Sequence, residues 1–75
     1  MTTVDARGLL CPLPLAMAKR EMQRLSPGET LVLLATDPEA PIDLGAWAAS
    51  EGHSLEQRPA QGWVEFELIK ARPAG

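Results

Sequence analysis

The residue in this sequence best suited to covalent chemistry is its only cysteine, Cys11, which lies between rigid neighbours. Residues 8–15 read GLLCPLPL, so Pro12 follows the cysteine directly and Pro14 comes two residues later. A proline restricts its own φ angle and biases the preceding residue toward an extended backbone. We therefore expect this segment to present the thiol in a fixed direction at the start of a helix.

The chemical state of the thiol follows from that position. A helix N-terminus favours anions and lowers the pKa of a cysteine placed there. The backbone N–H groups of Leu13 and Leu15 remain able to face the sulfur, whereas the two prolines have none to offer and limit the effect. A loop between a strand and a helix also keeps the sulfur within reach of other molecules. The sequence thus predicts an accessible Cys11 that forms a thiolate.

The chain lacks the other parts of a cysteine enzyme. Hydrolytic cysteines need a base, and the only histidine, His53, lies at the start of a predicted strand elsewhere in the chain. One cysteine and one histidine allow neither an internal disulfide nor a closed zinc site. We expect no metal and no cofactor. The residues leave two readings open for Cys11: a group carrier served by other proteins, or a small packed hydrophobe.

Charge restricts the partners. The net charge is -3, which argues against direct nucleic-acid binding because phosphate contacts need clustered Lys and Arg. Residues 1–28 carry four basic and two acidic side chains, whereas residues 29–67 carry eight acidic and one basic. This asymmetry indicates either ordinary solvated faces or a basic, thiol-bearing face that docks on an acidic partner.

The first residues, MTTVDARG, show no basic segment followed by an apolar run, and no apolar run approaches the ~20 residues that span a bilayer. We expect a cytoplasmic protein without a membrane partner, a location that suits a reduced thiol.

Hydrophobic periodicity predicts the element order β-α-β-α-β-β. The expected strands cover residues 3–5, 30–36, 53–58 and 63–70, and the expected helices cover 13–25 and 38–51. The second helix starts at Pro38 or Pro41. Its inward side chains are either Ile42, Ala46 and Ala49 or Leu44, Trp47 and Ala48.

These elements predict one α+β domain over residues 1–75, with a frayed tail at about 71–75. A chain of this length cannot cover both faces of a sheet with helices. We therefore expect a two-layer α/β sandwich, with both helices on one face of a mixed four-stranded sheet.

Three segments together resemble the TusA/SirA family of small sulfur-carrier proteins, whose hallmark is a Cys-Pro-X-Pro motif. They are DARGLLCPLPL, SPGETLVLLATDPEAPIDLGAWAASEGH and WVEFELIK, and the resemblance spans about residues 3–70. It implies the β-α-β-α-β-β fold. It also implies a protein that accepts sulfane sulfur as a cysteine persulfide and relays it.

The resemblance assigns roles to individual residues. Cys11 is implied as the persulfide carrier, and Pro12 and Pro14 as the residues that fix its presentation. Arg7 and Gly8 fall in the approach loop, where a cation can steady a thiolate or persulfide, although a plain surface arginine fits equally well. One further match is Asp43 in the second helix, which helix capping also explains.

The implied partners are proteins. The sulfur donor is a cysteine desulfurase or a rhodanese-like sulfurtransferase, and the acceptor is a sulfur-relay protein. Family members serve tRNA thiolation, molybdenum-cofactor synthesis or sulfur oxidation. Leu10 is apolar where several relatives carry a polar residue, so the particular donor and acceptor stay open.

Two other functions remain alternatives at this point. One is a non-catalytic interaction or regulatory module in which the cysteine is packed. The other is a redox sensor whose thiol is oxidised, which the absence of a second, resolving cysteine disfavours. Thiol accessibility separates the first alternative from a carrier.

Overall fold

The six elements follow one another in the predicted order. The computed structural model of the chain describes residues 1–72. It contains β1 (Thr2–Ala6), α1 (Leu13–Arg24), β2 (Thr30–Ala35), α2 (Ala40–Glu51), β3 (Ser54–Pro59) and β4 (Val64–Ile69). Of the tail predicted at 71–75, residues 73–75 lie outside the described range. Within residues 1–72, no helix has the length and apolar character needed to cross a membrane.

The four strands form one mixed sheet in the order β1-β2-β4-β3. β1 pairs with β2 in parallel, whereas β4 is antiparallel to both β2 and β3. It follows that β1, β2 and β3 all run in the same direction. The strand predicted at 30–36 corresponds to β2, which is internal because it is paired on both sides.

The core lies between one face of the sheet and the two helices, which confirms the predicted two-layer α+β architecture. Side chains alternate along each strand, so every second residue points into this core. The buried apolar residues of the sheet are Ala6, Leu31, Val32, Leu33, Ala35, Phe66 and Leu68. Of these, all but Val32 belong to the cluster that packs against the helices.

The helices bury one narrow stripe each. In α1 the buried side chains are Pro14, Ala18 and Met22, and in α2 they are Ala40, Leu44 and Ala48. Both sets have the i, i+4, i+8 spacing of one helix face. Of the two faces considered for α2, the one containing Leu44 is the buried one, and Ile42 is 72% exposed.

The boundaries of α2 follow from local backbone chemistry. The helix begins at Ala40, between the two starts allowed by Pro38 and Pro41, with Glu39 as its N-cap residue. It ends at Gly52, whose φ of 77° is the left-handed conformation that glycine adopts without steric cost. The Gly52 N–H donates back into the last turn of the helix. The predicted end of this helix at residue 51 is therefore confirmed.

Two substitutions in α2 test which face is buried. Leu44 is fully buried, so Leu44→Ala is expected to lower the free energy of unfolding by about 2–5 kcal/mol through lost burial and the resulting cavity. Ile42→Ala, two residues away and mostly exposed, is expected to change it by less than about 0.5 kcal/mol. Urea denaturation of both variants measures the difference. Equal losses in the two variants would contradict the assigned face.

Candidate functional site

The site is formed where the two helices begin. Both helices follow strands that run in the same direction, so α1 and α2 start at the same end of the sheet. Cys11 lies two residues before α1, and Asp43 lies in the first turn of α2. Parallel crossovers thus bring together two residues that are 32 positions apart in the sequence.

The approach loop between β1 and α1 is tied to the end of β2. Gly8 has a φ of 82°, and its N–H donates a 2.8 Å hydrogen bond to the hydroxyl oxygen of Thr36. A side chain at this φ is strained, which explains a glycine at this position. The Leu9 N–H donates to the Ala6 carbonyl at 3.2 Å and tightens the same loop. The backbone of Gly8 therefore ties the approach loop to the residue that follows β2.

The motif itself forms a hydrogen-bonded turn. The Leu13 N–H donates to the Leu10 carbonyl at 2.9 Å, and the Cys11–Pro12 peptide bond is cis. Pro14, in the first turn of α1, is buried, whereas Cys11 and Pro12 are exposed. One proline thus anchors the segment in the core, and the other stands beside the sulfur at the surface.

The exposed thiol of Cys11 is hydrogen-bonded to an acid. Its Sγ donates to Oδ2 of Asp43 at 3.0 Å. This hydrogen bond, together with partial loss of water contact and the negative charges of Asp43, Glu39 and Asp37, raises the pKa of Cys11 to about 11. Acceptance by a carboxylate stabilises the protonated thiol, so at neutral pH the free protein holds its cysteine as a thiol.

The prediction of a lowered cysteine pKa is therefore wrong, for two structural reasons. The Leu13 N–H, expected to face the sulfur, instead donates to the Leu10 carbonyl. The helix dipole of α1 is also opposed by carboxylates at the start of α2. The sequence showed the helix start beside Cys11 but not the acids that the fold places there.

Charge around the sulfur is acidic, not basic. Glu39 is exposed, Asp43 is half-buried, and Asp37 is only 8% exposed. Oδ1 of Asp37 accepts the Glu39 N–H at 3.3 Å, while its buried Oδ2 has no hydrogen-bond partner in the described part of the chain. The hypothesis of a basic, thiol-bearing face fails because it grouped charges by position in the sequence. Folding places the acidic start of α2 against the thiol.

The side chain of Arg7 contacts Asp5 and Trp63. Its guanidinium donates to both carboxylate oxygens of Asp5, each at 2.9 Å, and lies 4.9 Å from the centre of the Trp63 ring. These hydrogen bonds lower the pKa of Asp5 to about 2. The polar contacts described for Arg7 therefore hold the end of β1, and none of them is to Cys11.

His53 lies at the opposite end of α2 from the site. About 12 Å of helix separates Asp43 from the last residue of α2, Glu51. The His53 Nδ1 accepts the Ala71 N–H at 2.9 Å, and its ring packs edge-on against Trp47 with centroids 5.1 Å apart. These contacts give the histidine a packing role away from the thiol.

One group of side chains has the spacing of metal ligands. Single ligand atoms of Cys11, Glu39 and Asp43 all lie within 4.8 Å of one another. Exposed acidic groups are common without an ion, so this proximity by itself does not make a metal site.

Similarity to known proteins agrees with the fold and the motif. Residues 2–70 match the model of the family described as Sulfurtransferase TusA. The chain belongs to the TusA family. Within it, "Sulfur carrier protein TusA" of Allochromatium vinosum is 39% identical over 67 residues, which cover 89% of this chain and 88% of that protein.

A longer relative and a solved structure extend the comparison. The Bacillus subtilis protein named "Putative sulfur carrier protein YrkF" is 44% identical to this TusA-family chain over 67 residues, 89% of the chain. The chain spans only 36% of that relative's length. The crystal structure of a SirA-like protein from Desulfitobacterium hafniense superposes with a TM-score of 0.86 at 26% identity, covering 96% of this chain and 100% of the other.

The contacts of Arg7 lead to a test in this TusA-family protein. Arg7→Gln removes the guanidinium from Asp5, so the midpoint of the Asp5 titration is expected to rise from about 2 toward the ordinary 3.8. Side-chain NMR across acidic pH measures it. In the same variant, the rate of Cys11 alkylation is expected to stay within about twofold of the wild type, as for a surface substitution away from the site. A large change in that rate would instead mean that Arg7 acts on the sulfur.

Proposed function

We propose that this TusA-family protein is a sulfur carrier that holds sulfane sulfur as a persulfide on Cys11 and passes it to an acceptor protein. The observation that carries the proposal is the single exposed cysteine, set in a turn whose partners fix its position. Relatives named as sulfur carriers support the same conclusion. Transfer then depends on partner proteins at both ends, and the chain is a relay rather than a self-sufficient enzyme.

Uptake is a thiol exchange at sulfur. The Cys11 thiolate attacks the terminal sulfur of a cysteine persulfide on the donor. A bond forms between the two sulfurs as the S–S bond in the donor breaks, and the donor cysteine leaves as a thiolate. The proton lost by Cys11 balances the one that the donor thiolate takes up. No external oxidant or reductant enters, because the sulfane sulfur moves at a constant oxidation state.

Delivery repeats the exchange in the opposite sense. An acceptor thiolate attacks the terminal sulfur of the Cys11 persulfide, and Cys11 leaves as a thiolate that is protonated again. The donors proposed are a cysteine desulfurase or a rhodanese-like protein, and the acceptor is a sulfur-relay protein. The pathway served would be tRNA thiolation, molybdenum-cofactor synthesis or sulfur oxidation.

The alternatives have less support. An interaction module with a packed cysteine does not fit a Cys11 that is exposed. A redox sensor benefits from a resolving cysteine, and this chain has no second cysteine.

Intact mass spectrometry tests the carrier role. The protein is incubated with a cysteine desulfurase and L-cysteine, or with thiosulfate and a rhodanese. We expect a gain of about 32 Da, one sulfur atom, that is removed by reductant and is absent in Cys11→Ser.

A matched control separates the motif from any exposed thiol. In the Cys11→Ser background, Ser50→Cys places a cysteine on the exposed surface of α2. This double variant is expected to gain sulfur at least about tenfold more slowly than the wild type, because its thiol lacks the turn that positions Cys11. Equal uptake by the double variant, or none by the wild type from either donor system, would contradict the proposal.

A further inference from the structure

The hydrogen bond between Cys11 and Asp43 opposes the chemistry that a carrier thiol must perform. Attack on sulfur requires the thiolate, whereas a carboxylate 3.0 Å away accepts a hydrogen bond from the protonated thiol and repels the anion. In the free protein the sulfur is therefore accessible but held in its unreactive form. A change in the surroundings of Asp43 would reverse this effect.

Exposed hydrophobic residues lie close in the sequence to both members of this pair. Leu10 is 69% exposed, Leu13 is 51% and Ile42 is 72%. Leu10 and Leu13 are within two residues of Cys11, and Ile42 adjoins Asp43. Apolar side chains beside polar ones at one site are typical of protein contact surfaces.

The same surface is negative. Asp43 and Glu39 bring their carboxylates within 4.8 Å of each other and of the sulfur, and none of the ion pairs between described residues involves either one. Asp37 adds a third negative charge that acts on the sulfur. A lysine or arginine is the side chain whose charge complements this group.

We propose that Leu10, Leu13 and Ile42 form a docking surface for a sulfur-donor protein that presents a lysine or arginine among apolar side chains. On docking, this cation pairs with Asp43 and Glu39 and so releases the Cys11 thiol from Asp43. The identity of the partner as a donor rests on the proposed function. The release of the thiol by a neighbouring cation does not.

The release follows from electrostatics. A cation bound to Asp43 competes with the thiol for the carboxylate oxygens and offsets the negative charge that disfavours the thiolate. Docking also excludes water, which strengthens the new ion pair. The thiol would then become nucleophilic only where a donor persulfide is present, because the cation arrives on the donor itself.

Asp43→Asn provides the sharpest test, because the proposal predicts opposite effects in two reactions. Exchange of Cys11 with a small neutral disulfide, bis(2-hydroxyethyl) disulfide, is expected to become about tenfold faster at neutral pH, since the thiol loses a charged acceptor. Sulfur uptake from the cysteine desulfurase is expected to become severalfold slower, since the docking cation loses its partner. Acceleration of both reactions, or no change in the first, would overturn the proposal.

Charged probes test the complementarity without any donor. Cystamine carries ammonium groups near its disulfide, and the neutral disulfide carries none. The ratio of their exchange rates with Cys11 is expected to fall by about fivefold at low salt in Asp43→Asn, with a smaller fall in Glu39→Gln. Glu51→Gln, at the far end of α2, serves as the matched control and should leave the ratio unchanged. An equal ratio in all four proteins would contradict the proposal.

A matched pair of variants tests the apolar part of the docking surface. Ile42→Ser is expected to slow uptake from the desulfurase severalfold while leaving exchange with small disulfides unchanged. Ala46→Ser, also exposed on α2, should alter neither. Equal uptake by the Ile42 and Ala46 variants would contradict the docking surface. Absence of uptake by the wild type would refute the proposed function, and the charged probes would still decide whether the acids select a cation.

Discussion

The chemistry of this site depends on the hydrogen bond from Cys11 to Asp43. The topology of the sheet brings these two residues together. Because β1, β2 and β3 run in the same direction, both helices start at one end of the sheet. The N-terminal segments of the two helices therefore meet, and each contributes one partner of the pair. The core that packs the helices against the sheet thus also sets the chemical state of the thiol.

Much of the fold could be predicted from the sequence because its signals are local. The helical spacing of α1 and the unbroken apolar run of β2 each depend on neighbouring residues. The inward face of α2 was open between two sets, since alanines are spread around the helix and only packing on the sheet separates Leu44 from Ile42. The end of α2 could be predicted because the signal for it, a glycine directly after the helix, is a single residue.

The electrostatics of the site could not be predicted in the same way. The position of Cys11 at a helix start was correct, yet the expected effect on its pKa had the wrong sign. The Leu13 N–H is taken by Leu10, a detail of the turn, and the carboxylates of Asp43 and Glu39 come from another part of the chain. The sequence points to Asp43 only through the family resemblance, and its contact with the sulfur becomes evident once α1 and α2 are known to begin side by side.

The effect of Asp43 is tested most directly by titrating Cys11 in the free protein, with the ¹³Cβ chemical shift of that residue as the readout. We expect a midpoint of about 11 in the wild type, and a midpoint displaced toward the ordinary 9.0 in Asp43→Asn. A wild-type midpoint at or below 9.0, or one that Asp43→Asn leaves unchanged, would contradict the claim that Asp43 holds the thiol protonated.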